Sequence, residues 1–170
     1  MKTIKIILGI ITFFVLAFFL TGFFVTETTY EVRVTVEQPI SEVFASFINI
    51  DNRKNWIPEI QSIAIVSENS NIVGNIHQVV VDNKGQKITM TEKVIAFVPN
   101  EKVTLFFDAQ NMLKTDAYVF TKSNGGTTIQ LNSSCRSDSY LMACMFPYFK
   151  GTFQAQDQSY LNNFKAYLEN

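Results

Sequence analysis

The sequence predicts an α+β domain: about seven strands, mostly antiparallel, two short helices after the first strand and one long C-terminal helix, with a separate transmembrane helix in front. Three observations predict it. An uncharged run of 21 residues, Ile6 to Thr26, opens the chain. Alternation of apolar and polar residues recurs between Tyr30 and Cys135, interrupted by turn-forming clusters. From about Thr152 the apolar spacing changes to that of a helix.

The opening run, IILGIITFFVLAFFLTGFFVT, follows Lys2 and Lys5 and precedes Glu27. As a helix rising about 1.5 Å per residue it reaches roughly 31 Å, close to the ~30 Å hydrocarbon core of a bilayer. Residues 1–26 therefore read as a retained signal anchor, with residues 6–26 in contact with lipid. The competing readings are a cleaved signal peptide and a buried core helix. A signal peptide has a shorter apolar stretch of about 7–15 residues and small residues at its cleavage site. Here the stretch ends Leu20-Thr21-Gly22-Phe23-Phe24-Val25-Thr26. A core helix carries a polar stripe, for which this run offers only Thr12 and Thr21. Lysines before the run and Glu27 after it orient a single-pass protein with a cytoplasmic N-terminus and residues 27–170 on the extracytoplasmic side.

Residues 27–170 suffice for one domain and are too few for two. The chain has 14 basic and 15 acidic residues; without Lys2 and Lys5 the domain has 12 against 15. A mildly acidic domain with no basic block argues against nucleic acid as a partner and against adhesion to anionic lipid by charge. Only Glu27 to Thr29 separate the run from the first strand, which keeps the domain against the membrane surface.

Tyr30 to Glu37 alternates strictly and reads as a half-buried strand stopped by Pro39. Ile40, Val43, Phe44, Phe47 and Ile48 then recur at helical spacing. Asn49 to Asn55 is a turn or a second short helix, ending at the Trp56-Ile57-Pro58 corner. Strands follow over Ile60–Val66 and Ile76–Val81, with Asn83-Lys84-Gly85 as a hairpin turn. Further strands cover Lys87–Phe97, Lys102–Asp108, Ala117–Thr121 and Thr127–Cys135. Short connections make neighbours antiparallel. From about Thr152 to Glu169, Phe153, Tyr160, Leu161, Phe164, Tyr167 and Leu168 form one helical face, with Gln154, Gln158, Asn162, Asn163 and Lys165 mostly pointing away. Tyr140 to Phe149 is uncharged and contains Pro147, which argues against a helix running through it. It reads as a lead-in packed under the sheet, or as a segment that meets the bilayer or gates a cavity.

The stretch Val34-Thr35-Val36-Glu37-Gln38-Pro39-Ile40-Ser41-Glu42-Val43-Phe44, the Trp56-Ile57-Pro58 corner, Gly74, Glu92 before Pro99, and Gly126-Thr127-Thr128 occur in this order over residues 29–169. Together they resemble the START-like helix-grip superfamily, which includes polyketide cyclase/dehydrase and lipid-transport proteins. The resemblance implies a curved sheet gripping the long helix, with a cavity between them for a hydrophobic or lipid-like small molecule. The residues expected at that cavity are Phe47, Trp56, His77, Val79, Phe106, Tyr118, Leu131, Phe153, Tyr160 and Phe164. It implies no cofactor, and the fold alone does not choose between carrier, enzyme and interaction module.

His77 is the one histidine and the only weak candidate for a catalytic base, with Glu92 or Asp116 as possible partners and Tyr118 as a group to polarise a carbonyl. The plainer reading is a strand histidine satisfied by a neighbour. Asp51, Arg53 and Lys54 read as a solvated turn rather than a polar lip, and Trp56 as a core plug. No Gly-x-Ser-x-Gly, Walker loop or dinucleotide fingerprint is present, and the histidine and cysteine supply offers no metal site. Cys135 and Cys144 are either a disulfide or two buried thiols.

Overall fold

A computed structural model describes residues 2–169. The first helix, α1 (Lys2–Phe24), is long and apolar enough to cross a membrane and is exposed along nearly all its length, Gly22 being its buried residue. β1 (Thr28–Val36) follows, then α2 (Ile40–Ile48), a short 3-10 helix (Ile50–Asn55), β2 (Ile60–Ser67), β3 (Ile76–Asn83), β4 (Gln86–Val98), β5 (Lys102–Ala109), β6 (Met112–Ser123), β7 (Gly126–Arg136) and α3 (Tyr140–Glu169).

The seven strands form one antiparallel sheet in the order β1-β7-β6-β5-β4-β3-β2. Chain neighbours β1 and β2 thus lie at opposite edges, and α2 with the 3-10 helix carries the chain across the concave face. The hairpin between β3 and β4 turns on Lys84 and Gly85, both at positive φ (54° and 89°), a pairing whose twist matches that of the strands. Gly126 opens β7 where a side chain would not fit: its Cβ would stand 2.0 Å from the carbonyl oxygen of Val36.

The inner face is legible from register. Tyr30, Val32, Val34 and Val36 of β1 stand opposite Ser133, Leu131, Ile129 and Thr127 of β7. Across β6 and β5 the same face continues through Lys114, Asp116, Tyr118 and Phe120 and through Val103, Leu105 and Phe107. Val43, Phe44 and Phe47 of α2, Trp56, and Leu161 and Phe164 of α3 close over it.

Two elements depart from the sequence reading. β6 begins at Met112, not Ala117, because its inner positions include Lys114 and Asp116 and the alternation is hidden by charge. α3 starts at Tyr140 and runs through Pro147, where a break was expected. Pro147 leaves the carbonyl four residues earlier without its helical partner. Contacts of Tyr140, Cys144 and Tyr148 with α1 hold the helix on both sides of that gap.

Gln154 and Gln158 do not point away either. The Gln154 amide donates to the Glu31 carbonyl at 3.0 Å, and Gln158 pairs with both the carbonyl (3.0 Å) and the N–H (3.3 Å) of Arg33. The two glutamines occupy the free edge of β1, which blocks pairing with another chain.

Candidate functional site

Two charged clusters lie on the concave face. β3 and β4 pair so that His77 stands directly opposite Glu92. Nδ1 of His77 is 2.9 Å from Oε1 of Glu92, while the other carboxylate oxygen accepts from Nη1 of Arg53, delivered by the 3-10 helix. All three residues are buried. Burial alone would raise the Glu92 pKa; the Arg53 charge, with hydrogen bonds from His77 and Arg53, outweighs it and holds the carboxyl below the usual carboxylate range. An ionised Glu92 accepts only, so in the neutral imidazole Nδ1 carries the proton and Nε2 presents a lone pair. Nε2 is buried and has no hydrogen-bond partner among the described residues.

His77, Arg53 and Asn75 border a cavity of about 150 Å³, whose other lining side chains are apolar and include Phe47, Ile50, Ile72, Phe97 and Leu105. Ile72, in the β2–β3 loop, has φ 65°, a left-handed conformation that a β-branched residue adopts only under strain.

The second cluster sits under α3. Lys114 Nζ lies 2.8 Å from Asp116 and 2.8 Å from Asp157; Ser133 donates to Asp116 at 2.7 Å and Tyr30 to Asp157 at 2.7 Å. Burial opposes the Lys114 charge, but Asp116 and Asp157 raise its pKa well above normal. Asp116 itself is raised, first by burial and then by Asp157, against the pull of Lys114. Tyr118, buried beside this group, is raised by burial and by Asp116. Phe107 separates the clusters: in register it is the residue between Lys114 and Glu92.

The ten expected cavity residues do not form one lining. Phe47 and His77 border the cavity. Phe47, Trp56, Tyr118 and Phe164 pack ring against ring, with centroid separations from 4.6 Å (Phe47–Tyr118) to 5.4 Å (Phe47–Trp56), and with Leu131 they fill the space under α3. Val79 is buried beside His77 on its face of β3. Tyr160 packs half-buried on the core and accepts from Gln156 at 2.7 Å. Phe153 belongs to a separate cluster with Tyr30, Cys135 and Phe146. Phe106 is a correction: Leu105 and Phe107 on either side of it pack into the core, so Phe106 lies on the outer face.

Arg53 is another correction, since the expected solvated turn delivers it to Glu92. Asp51 and Lys54 beside it are exposed. Lys114, Asp157 and Tyr30 were missed as site residues; the signal available was that Lys114 and Asp116 fall on the frame of Tyr118 and Phe120, whereas Asp157 and Tyr30 offered none. Cys135 and Cys144 are free thiols, the former with its pKa pushed up to about 11, chiefly by burial.

Residues 27–169 match the family of polyketide cyclase/dehydrase and lipid-transport proteins. The chain belongs to this family. Its sheet and long helix are those of the family's fold. Among solved structures, the Zhui aromatase/cyclase from a Streptomyces species aligns with a TM-score of 0.71 at 14% identity, covering 84% of this chain and 94% of that one. Ara h 8.0201 aligns with a TM-score of 0.68 at 16% identity, covering 85% and 99%. The di-domain aromatase/cyclase StfQ of the steffimycin pathway aligns at 0.69 and 14% identity, covering 85% of this chain and 51% of its own. At such identities the likeness is one of fold. No curated protein matches the sequence significantly.

Proposed function

We propose that the chain is a membrane-anchored binding protein for an apolar small molecule that carries one hydrogen-bond donor, such as a hydroxyl or phenol. The observation that carries this reading is the buried Nε2 of His77, without a partner among the described residues, at a mainly apolar cavity whose other polar lining groups are Arg53 and Asn75. Such an acceptor costs free energy until a donor meets it, and Glu92 fixes the ring that presents it. A volume near 150 Å³ suits a single aromatic ring; a larger molecule enters by displacing the β2–β3 loop. In this reading α1 is a retained anchor, the N-terminus is cytoplasmic and the domain draws its ligand from the adjacent lipid.

The test uses the full chain in nanodiscs. Solvent extraction and mass spectrometry should recover an apolar compound, and His77→Leu should weaken its rebinding about tenfold, the loss of one hydrogen bond. A protein that is empty and takes up no hydrophobic probe would remove the binding reading.

A second reading is favoured by the same geometry: Glu92 orients His77 as a carboxylate orients a general base. A cyclase/dehydratase would return the added compound with water lost, whereas a carrier returns it unchanged.

A further inference from the structure

The first three turns of α3 keep one face on the grip domain, through Met142 and Phe146, and lay another against α1. Tyr140 stacks on Phe19 (centroids 6.3 Å apart, planes within 6°) and donates its hydroxyl to the Phe19 carbonyl. The Cys144 thiol is 3.7 Å from the same carbonyl, and a Cβ on Gly22 would stand 2.5 Å from its Sγ. Tyr148 stacks on Phe18 at 6.0 Å and hydrogen-bonds Thr21 at 2.9 Å.

Tyr140 and Tyr148 are two turns apart, roughly 12 Å along α3. Both rest on the single stretch Phe18–Gly22, roughly 6 Å of α1. Parallel helices would advance equally along each other, so these two cross steeply. A helix that crosses the end of a membrane-spanning helix lies in the plane of the membrane surface. Phe19 sits five residues before the α1 terminus at Phe24, about 7 Å in, and interfacial helices bury their apolar face about 5–10 Å deep.

The composition agrees with that depth. Between Asp138 and Lys150 there is no charge, and tyrosine is enriched at membrane interfaces. Leu141 and Phe149 are 53% and 43% exposed, Phe149 keeping a ring contact with Phe153, and on α1 Phe23 and Phe24 are 71% and 75% exposed.

We propose that residues 140–149 are a second membrane-contacting element, lying in the boundary between headgroups and acyl chains, and that the bilayer covers its exposed face. This rests on reading α1 as a retained anchor. The domain is then clamped to the surface at two points instead of swinging on a three-residue tether.

Leu141→Cys, Phe149→Cys and, as a control in the exposed β2–β3 loop, Ser70→Cys are labelled with an environment-sensitive fluorophore in the full chain. Both native thiols are buried, and unlabelled background is read from the parent protein. In phosphatidylcholine/phosphatidylglycerol vesicles containing doxyl-labelled lipid, probes at 141 and 149 should be quenched several-fold more than the probe at 70. Equal quenching at all three positions overturns the proposal. Energy transfer between labelled copies that rises with protein-to-lipid ratio would assign the face to a second copy and also overturn it. Resistance to an alkaline carbonate wash reads the anchor separately: a chain retained with 141 and 149 in water keeps the anchor and loses the second contact, and a chain released by the wash loses both.

Discussion

Glu92 is the residue on which the cavity side of the sheet depends, because one carboxylate holds both His77 and Arg53. Its folded-state pKa is lowered, so the unfolded chain binds that proton more readily. The stabilisation is therefore fully present above the unfolded carboxylate range, near pH 4.3, and is lost as pH falls through the folded value. Glu92→Gln should flatten this acid limb in urea titrations taken between pH 3 and 7. It should also cost about 3–5 kcal/mol at neutral pH, since Arg53 is left buried without a counter-charge. An unchanged acid limb would mean that another carboxylate carries it. None of this pairing was legible in Ile50-Asp51-Asn52-Arg53-Lys54-Asn55, a run whose polarity reads as solvent-facing. Burial of Arg53 is set by a partner 39 residues away, which local pattern does not report.

At the scale of elements, strands with apolar inner positions were readable and those with charged inner positions were not. β1 alternates cleanly and was visible over nearly its full span, whereas the first half of β6 was hidden by Lys114 and Asp116. The aromatic face of α3 gave away its second half, while Pro147 concealed the first. Two glycines separate backbone necessity from slack. Gly126→Ala drives a Cβ into the Val36 carbonyl and should destabilise by at least about 2 kcal/mol. Gly151→Ala, in the interior of α3 with open space around it, should stabilise by about 0.5–1 kcal/mol. Thermal melts of the two variants should move in opposite directions; parallel shifts would contradict the packing at β1–β7.

For the whole molecule, the order of elements after α1 was legible because each carries its own period, and the family resemblance followed from that order. How α1 sits on α3 was not, since no pattern in either segment names the other. That contact makes an expectation about truncation. A chain of residues 27–170 uncovers Cys144 and frees the α1-facing sides of Tyr140 and Tyr148, next to the already exposed Leu141 and Phe149. Such a patch promotes association in water. The truncated chain should elute as oligomers that detergent disperses, and its Cys144 should react with a thiol reagent that the full chain resists. A monodisperse monomer with a protected thiol would show that α1 covers nothing.

The left-handed Ile72 has a consequence for the size of molecule this fold admits. Holding a β-branched residue at φ 65° costs on the order of 1–3 kcal/mol, and that energy returns whenever the loop between β2 and β3 lifts. If the cavity takes a ligand as proposed, lifting this loop is cheaper by that amount than its packing alone suggests. A guest broader than one ring meets a shutter already pressed from within.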